Sequence, residues 1–219
     1  MRLTKEQAAE NRRQILEAAA RLFREHGFAG VAVADPMKTA GFTHGGFYNH
    51  FRSKEALAAE ACSTVIARSN AELAETLGQK TGKAWRQYLD RYLSVGHRDA
   101  PGSGCAVAAL ATDAARQGKQ VQTSFAEGIE NVIEILAANL PKAKPEEGPA
   151  ATRARAVRLW SEMVGALVLS RAVAEADPEL SEELLAASRH PASDPAAQQR
   201  KREEDSCQAG KRNQNGKAI

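Results

Sequence analysis

The chain has 219 residues and a formal net charge of +3, a positive balance too small to identify a nucleic-acid binder without knowing where the charge lies. Ala and Leu dominate, β-branched and aromatic residues are sparse, and no segment alternates steadily between apolar and polar residues, which argues against a β-sheet protein. The longest apolar run, 163–169, is far shorter than the roughly 20 residues of a membrane-spanning helix. We therefore expect an all-α protein that does not enter a membrane.

Cysteine usage and the N-terminal residues bear on compartment and chemistry. Cys62, Cys105 and Cys207 are widely spaced and form no C-x-x-C or Cys/His pattern, so neither a disulfide framework nor a zinc site is predicted. The first residues carry no export signal, and the sequence has no nucleophile–base pairing, phosphate loop or metal-ligand cluster. We expect a cytoplasmic protein that is not an enzyme and uses no cofactor or metal.

The first two helices are predicted from apolar spacing and terminal residues. Apolar residues recur at helical intervals over Lys5–His26, and Gly27 ends the pattern. The next helix is predicted to begin at Asp35, because Asp followed by Pro is a favourable start, and to end at Gly41.

Two further helices follow in 44–77. Residues 44–51 have room for about two turns, with Phe47 and Phe51 four apart on the buried side and Tyr48 facing elsewhere. Ser53 is a predicted N-cap and opens a long helix to about Leu77.

The remaining sequence predicts more helices and a disordered tail at 190–219. A polar loop is expected between Pro141 and Pro149, where prolines prevent helix continuation. The predicted helices span 83–97, 105–116, 119–140, 150–176 and 178–185.

Residues 35–51 combine a helix, a glycine-containing turn and a second short helix, the ingredients of a helix-turn-helix unit. The second helix of such a unit enters the DNA major groove, which is about 12 Å wide. Gly45 and Gly46 lack side chains, so the backbone can approach phosphates closely, and Tyr48 and His50 can donate to phosphate oxygens. Lys54, in the next helix, can hold the DNA backbone.

At these residues the chain resembles the TetR/AcrR family of dimeric transcriptional repressors, through ILEAAARLFREHGF, MKTAGFTHGGFYNHF and SKEAL. The resemblance implies about nine helices, with an N-terminal three-helix DNA-binding domain joined by a long helix to a C-terminal ligand-binding and dimerisation domain. The corresponding ranges are 1–52 for DNA binding, 53–189 for ligand binding and dimerisation, and 190–219 for the tail.

The resemblance further implies a homodimer that releases a palindromic DNA operator when a small-molecule effector binds. Ala32, Val33 and Ala34 stand where family members carry a hydroxyl or basic residue, and Pro36 replaces an aliphatic one. A helical ligand-binding protein with decayed DNA binding is therefore an alternative. The implied DNA-binding residues are Thr43, His44, Gly45, Gly46, Tyr48, Asn49, His50 and Lys54.

Aromatic, sulfur-containing and aliphatic residues of the C-terminal region are candidates for a ligand cavity, although ordinary core residues follow the same spacing. Cys105 is also a candidate redox or electrophile sensor, because a helix N-terminus stabilises a thiolate. The ligand candidates are Trp85, Tyr88, Tyr92, Cys105, Phe125, Ile129, Trp160 and Met163.

The predicted helices between 150 and 185 are apolar on more than one face, which favours a homodimer interface over plain core. The interface candidates are Val157, Trp160, Val164, Leu167, Val168, Leu180 and Leu184.

Overall fold

A computed structural model describes residues 4–79, 83–140 and 146–189, and this part of the chain is helical without any strand. The predicted all-α class is therefore confirmed. The predicted tail, Cys207 and residues 141–145 of the predicted polar loop lie outside the described residues. The α-helices are α1 Lys5–His26, α2 Ala34–Thr39, α3 Lys54–Gly78, α4 Ala84–Tyr92, α5 Val95–Asp99, α6 Ala106–Ala114, α7 Lys119–Asn139, α8 Pro149–Val173 and α9 Pro178–Ser188, with 3-10 helices at His44–Asn49 and Pro101–Ser103.

The predicted starts of α3 and α9 are confirmed by their caps. The Ser53 hydroxyl accepts a hydrogen bond from the Ala56 N–H at 3.0 Å, and the Asp177 carboxylate accepts one from the Leu180 N–H at 3.0 Å. Each bond satisfies an N–H that has no partner within the helix.

The predicted start of α2 at Asp35 is wrong by one residue, and Asp35 is not its cap. The helix begins at Ala34, and the Asp35 carboxylate instead accepts a hydrogen bond from the Ala32 N–H at 2.6 Å. Pro36 consequently occupies the third helical position. Backbone N–H groups of the first turn have no intrahelical partner, so a proline there removes no helical hydrogen bond.

The single helix predicted over 83–97 is wrong, because the chain breaks between α4 and α5. The Ser94 hydroxyl donates to the Arg91 carbonyl at 2.9 Å and accepts from the His97 N–H at 3.1 Å. Serine offers the backbone an alternative to helical pairing in this way, so it ends one helix and caps the next.

Two hydrophobic clusters form the core, and α3 belongs to both. Its first half packs with α1, α2, the His44–Asn49 helix, α6 and α7, while Leu73 and Leu77 near its end pack with α4, α7, α8 and α9. Asn70 ties α3 to α7, since its side-chain amide donates to the Gly128 carbonyl at 2.9 Å. The long helix α3 thus links the N-terminal helices to the rest of the protein. Within the described ranges, none of the helices has the length and apolar character needed to cross a membrane.

Candidate nucleic-acid interface and ligand cavity

The recognition turn, which we define as His44–Asn49, is a 3-10 helix. It is anchored from below by Phe47, which is fully buried, and by the neighbouring Phe51, whose ring centroid lies 5.7 Å from that of Phe47. The sequence correctly predicted that these two rings face the core. A 3-10 helix completes a turn in 3.0 residues, so the six residues make the expected two turns in a tighter form.

The outer side of the recognition turn is open to solvent. Tyr48 is 71% exposed, and its ring meets that of Phe47 edge-on at 5.2 Å, which supports the side chain from beneath. A Cβ added at Gly45 would have no atom within 4 Å, whereas one at Gly46 would lie 3.5 Å from the Met37 methyl. Thr43, His44 and Asn49 are exposed, and His50 and Lys54 are half-buried.

The surface around the recognition turn is basic. Residues 36–54 include no Asp or Glu, and they include Lys38 and Arg52, both exposed, besides the predicted His44, His50 and Lys54. Lys38 and Arg52 were not among the predicted contacts, and Asp35 and Glu55 border this stretch on either side.

Arg12 and Arg13 of α1 are paired with carboxylates of the protein itself. The Arg12 guanidinium lies 4.4 Å from the Phe51 ring centroid and pairs with Glu60, with 2.7 Å between Nη2 and Oε2. Arg13 donates to Glu10 and Glu17 at 2.7 Å each. The Arg12 contacts tie α1 to α3, whereas the Arg13 bonds lie within α1.

A cavity of about 360 Å³ lies in the C-terminal region, and we call it the aromatic cavity. Four of the predicted ligand residues line it, namely Tyr88, Tyr92, Cys105 and Trp160. The other four do not: Phe125 and Met163 are buried in the core, and Trp85 and Ile129 pack against it.

The segment from Ser94 to Gly104 supplies much of the cavity wall and was not predicted to do so. Ser94, His97, Ala100 and Ser103 line it, opposite Asn70 of α3. The prediction followed aromatic residues at helical spacing, whereas this wall comes from a Gly/Ser/Pro-rich connection. The Gly, Ser and Pro content of this segment was the one feature of the sequence that could have drawn attention to it as part of the wall.

His97 is fixed in one neutral form at the base of this wall. The Cys105 N–H donates to Nε2 at 2.9 Å, so Nε2 must carry a lone pair, and Nδ1 then donates its hydrogen to the Tyr92 carbonyl at 2.6 Å. Burial lowers the pKa of His97, and the charges of Arg171 and Arg91 lower this pKa further against the raising effect of the bond to Tyr92. The same bond from Cys105 holds the start of α6.

The predicted interface residues divide by exposure. Val157 and Leu180 are 38% and 40% exposed, Val164, Val168 and Leu184 are half-buried, and Trp160 and Leu167 are buried within the protomer. Leu169, which was not predicted, is more exposed than any of them.

The chain is similar to bacterial transcriptional regulators. The family described as "Bacterial regulatory proteins, tetR family" matches residues 15–61, which span the second half of α1, then α2, the recognition turn and the start of α3. TtgR of Pseudomonas putida, an HTH-type transcriptional regulator, is 47% identical over 57 residues, covering 26% of this chain and 27% of that protein. The transcriptional repressor NemR of Escherichia coli is 25% identical over 134 residues, covering 58% of this chain and 65% of NemR. The matches thus span about a quarter and just under two thirds of these relatives, which are regulators rather than enzymes.

Solved structures share the fold over most of the chain. The reduced form of E. coli NemR superimposes with a TM-score of 0.65 at 24% identity, covering 84% of this chain and 99% of that one. A TetR transcriptional regulator from Chloroflexus aurantiacus gives a TM-score of 0.67 at 23% identity, covering 84% and 94%.

Proposed function

We propose that this chain, whose residues 15–61 match the tetR family of bacterial regulatory proteins, is a DNA-binding repressor that leaves a palindromic operator when a small molecule binds. The observation that carries the proposal is the recognition turn, whose exposed Tyr48 stands on the buried Phe47 within a stretch free of carboxylates. Residues 1–52 bind DNA and residues 53–189 bind effector and dimerise. A regulator of this kind acts in the cytoplasm, where bacterial DNA is found.

In this proposal the recognition turn enters the major groove. The open side of the turn carries His44, Gly45, Tyr48 and Asn49. Because Gly45 is exposed and has no side chain, the backbone can come close to DNA there. Thr43, Gly46, His50 and Lys54 complete the proposed contacts at the turn's edges. Lys54, together with Lys38 and Arg52, neutralises phosphates on either side.

DNA binding is tested by fluorescence anisotropy with duplexes that flank the protein's own gene. Tyr48→Ala and Lys54→Ala are expected to weaken binding about 10-fold or more, because a hydrogen bond to a charged group is worth about 1.5–3 kcal/mol. Lys83→Ala, at the residue that precedes α4, is the charge-matched control and should bind normally. Tyr48→Phe removes the hydroxyl and keeps the ring, so it separates the contributions of these two groups to DNA affinity.

Salt dependence distinguishes this function from decayed DNA binding. Operator affinity should fall linearly with the logarithm of salt concentration as phosphate contacts release counterions. Equal affinity of the wild type and Tyr48→Ala for every flanking duplex would contradict the proposal and favour a ligand-binding protein without DNA function.

The aromatic cavity is the proposed effector site. Its aromatic side chains suit a largely apolar ligand, and Asn70 and Arg91 supply polar groups to orient it. α3 reaches from this cavity to Lys54, so a ligand that favours one tilt of α3 would change the spacing of two recognition turns in a dimer.

A homodimer through α8 and α9 is the proposed assembly. Val157, Leu180 and Leu169 are large apolar side chains left exposed on the protomer, and burying them against a second copy removes them from water. Two recognition turns about 34 Å apart then read successive major grooves.

A second candidate function is redox or electrophile sensing through Cys105. The specific observation is that Cys105 lines the aromatic cavity, is only partly buried and has no disulfide partner among the described residues. A Cys105→Ser variant that binds operator normally but no longer releases it under oxidant would favour this function. Unchanged release in that variant would leave effector binding as the trigger.

A further inference from the structure

A second cavity, of about 290 Å³, lies between α1, α3 and the Pro101–Ser103 turn, and we call it the arginine cleft. Three arginines line it, Arg21 and Arg24 from α1 and Arg68 from α3. The proposed DNA and effector sites use none of them.

Arg24 is the most unusual of the three, because it is 7% exposed yet mostly without partners. Its Nη2 donates to the Gly102 carbonyl, while Nε and Nη1 are buried and have no hydrogen-bond partner among the residues the structure describes. A buried guanidinium that loses its hydration without compensation is destabilising. Burial, and secondly the positive charge of Arg68, lower the pKa of Arg24.

The carboxylates nearby do not balance this charge. Glu17 lines the cleft but accepts a 2.7 Å hydrogen bond from Arg13, and Glu25 lies 3.8 Å from Arg21. In the described part of the chain, Arg24 and Arg68 form no ion pair with a carboxylate. The cleft therefore holds two guanidinium groups that repel each other, and Glu25 acts on Arg24 without forming an ion pair with it.

The arginine cleft is not part of the proposed DNA site. α3 rises about 1.5 Å per residue, so Arg68 lies roughly 21 Å along the helix axis from Lys54, beside the recognition turn. This distance separates the cleft from the proposed DNA contact at Lys54. We therefore consider a separate, small anion as its ligand.

We propose that the arginine cleft is a second ligand site for a small phosphate-bearing anion, bound by Arg68 with Arg21 and the Thr64 hydroxyl, while the buried Arg24 adds positive charge to the cleft wall. Guanidinium groups match the oxygens of phosphate bidentately, which favours phosphate over a compact chloride ion. The cleft borders the Pro101–Ser103 turn, and Ser103 lines both this cleft and the aromatic cavity. An anion here lies between α1 and the effector site.

The test is isothermal titration calorimetry of the full chain with inorganic phosphate, at ionic strength matched with sodium chloride. Saturable binding with a Kd below about 1 mM is expected in the wild type. Arg68→Ala should weaken it about 10-fold or more, since a charge-assisted contact is lost. Arg116→Ala, which removes an exposed arginine at the end of α6, is the matched control and should bind like the wild type.

Arg68 is exposed, so its variant tests the proposal even if substitutions at the buried Arg24 impair folding. Heats equal to those of sodium chloride injections, or equal affinities of Arg68→Ala and Arg116→Ala, would overturn the proposal. Tighter binding of succinate than of phosphate would overturn the assigned ligand class. The measurement uses neither operator nor effector, so its outcome is independent of the proposed repressor function.

Discussion

Phe47 and Tyr48 are adjacent aromatic residues with opposite roles. Phe47 is fully buried and Tyr48 is 71% exposed, although both rings belong to the same short 3-10 helix. The four-residue spacing of Phe47 and Phe51 predicted which ring faces the core, because both must lie on one side of a helix. The outward direction of Tyr48 followed from the same pattern.

This difference predicts distinct effects on folding. Phe47→Ala should lower the free energy of unfolding by about 3–5 kcal/mol because it leaves a cavity. Tyr48→Ala should change it by less than about 0.5 kcal/mol, as expected for a surface substitution. Urea unfolding followed by circular dichroism measures both. A large loss for Tyr48→Ala would mean that its side chain is structural.

His97 predicts a pH-dependent stability. Its pKa is lowered in the folded protein from the usual 6.5, so below that pH the unfolded chain binds more protons than the folded one. Protonation at Nε2 would also remove the acceptor of the Cys105 N–H. The stabilisation is complete above about pH 6.5 and is lost as the pH falls towards the folded-state pKa.

The measurement is the melting temperature between pH 7.5 and 5.5. The wild type should lose more stability over this interval than His97→Gln, in which the titrating group is gone. Parallel pH profiles for the two proteins would refute the role given to His97.

Among the elements, those with strong terminal residues were predictable and those decided by competing local bonds were not. The starts of α3 and α9 were predictable, because the side chains of Ser53 and Asp177 accept hydrogen bonds from N–H groups that have no partner in the first helical turn. Ser94 lies inside a pattern that continues helically, and only its hydrogen bonds to Arg91 and His97 end α4. The cavity wall that follows from this break was missed for the same reason.

Because α3 packs closely against α7, Gly128 of α7 should not tolerate substitution by a residue that carries a side chain. A Cβ at Gly128 would collide with the Ile66 side chain, so Gly128→Ala should destabilise the protein by about 1–3 kcal/mol despite the higher helix propensity of alanine. Gly78→Ala is the control, since a Cβ there has no atom within 4 Å. Thermal melting compares the two, and equal stability would indicate that α3 and α7 separate readily.

At the scale of the whole molecule, the exposed apolar residues of α8 and α9 set the expected assembly. Two-sided apolarity in the sequence suggested the interface, but it could not separate Trp160 and Leu167, which the protomer buries, from Val157 and Leu180, which it exposes. Only packing against the other helices decides that division.

The assembly is tested by sedimentation velocity. Leu180→Glu and Val157→Glu should convert a dimer into monomers, because each places a charge in a desolvated interface. Val95→Glu introduces the same charge at a comparably exposed apolar residue of α5 and should remain dimeric. A dimer that survives the first two substitutions would require a different contact surface.

The Pro101–Ser103 turn lies between the aromatic cavity and the arginine cleft, and its Ser103 lines both. A displacement of this residue would change the wall of each cavity. Arg24 of α1 donates a hydrogen bond to the Gly102 carbonyl of this turn. The N-terminal helix is thus bonded directly to the turn that borders both cavities. A ligand that displaces Ser103 in one cavity would therefore also change the wall of the other.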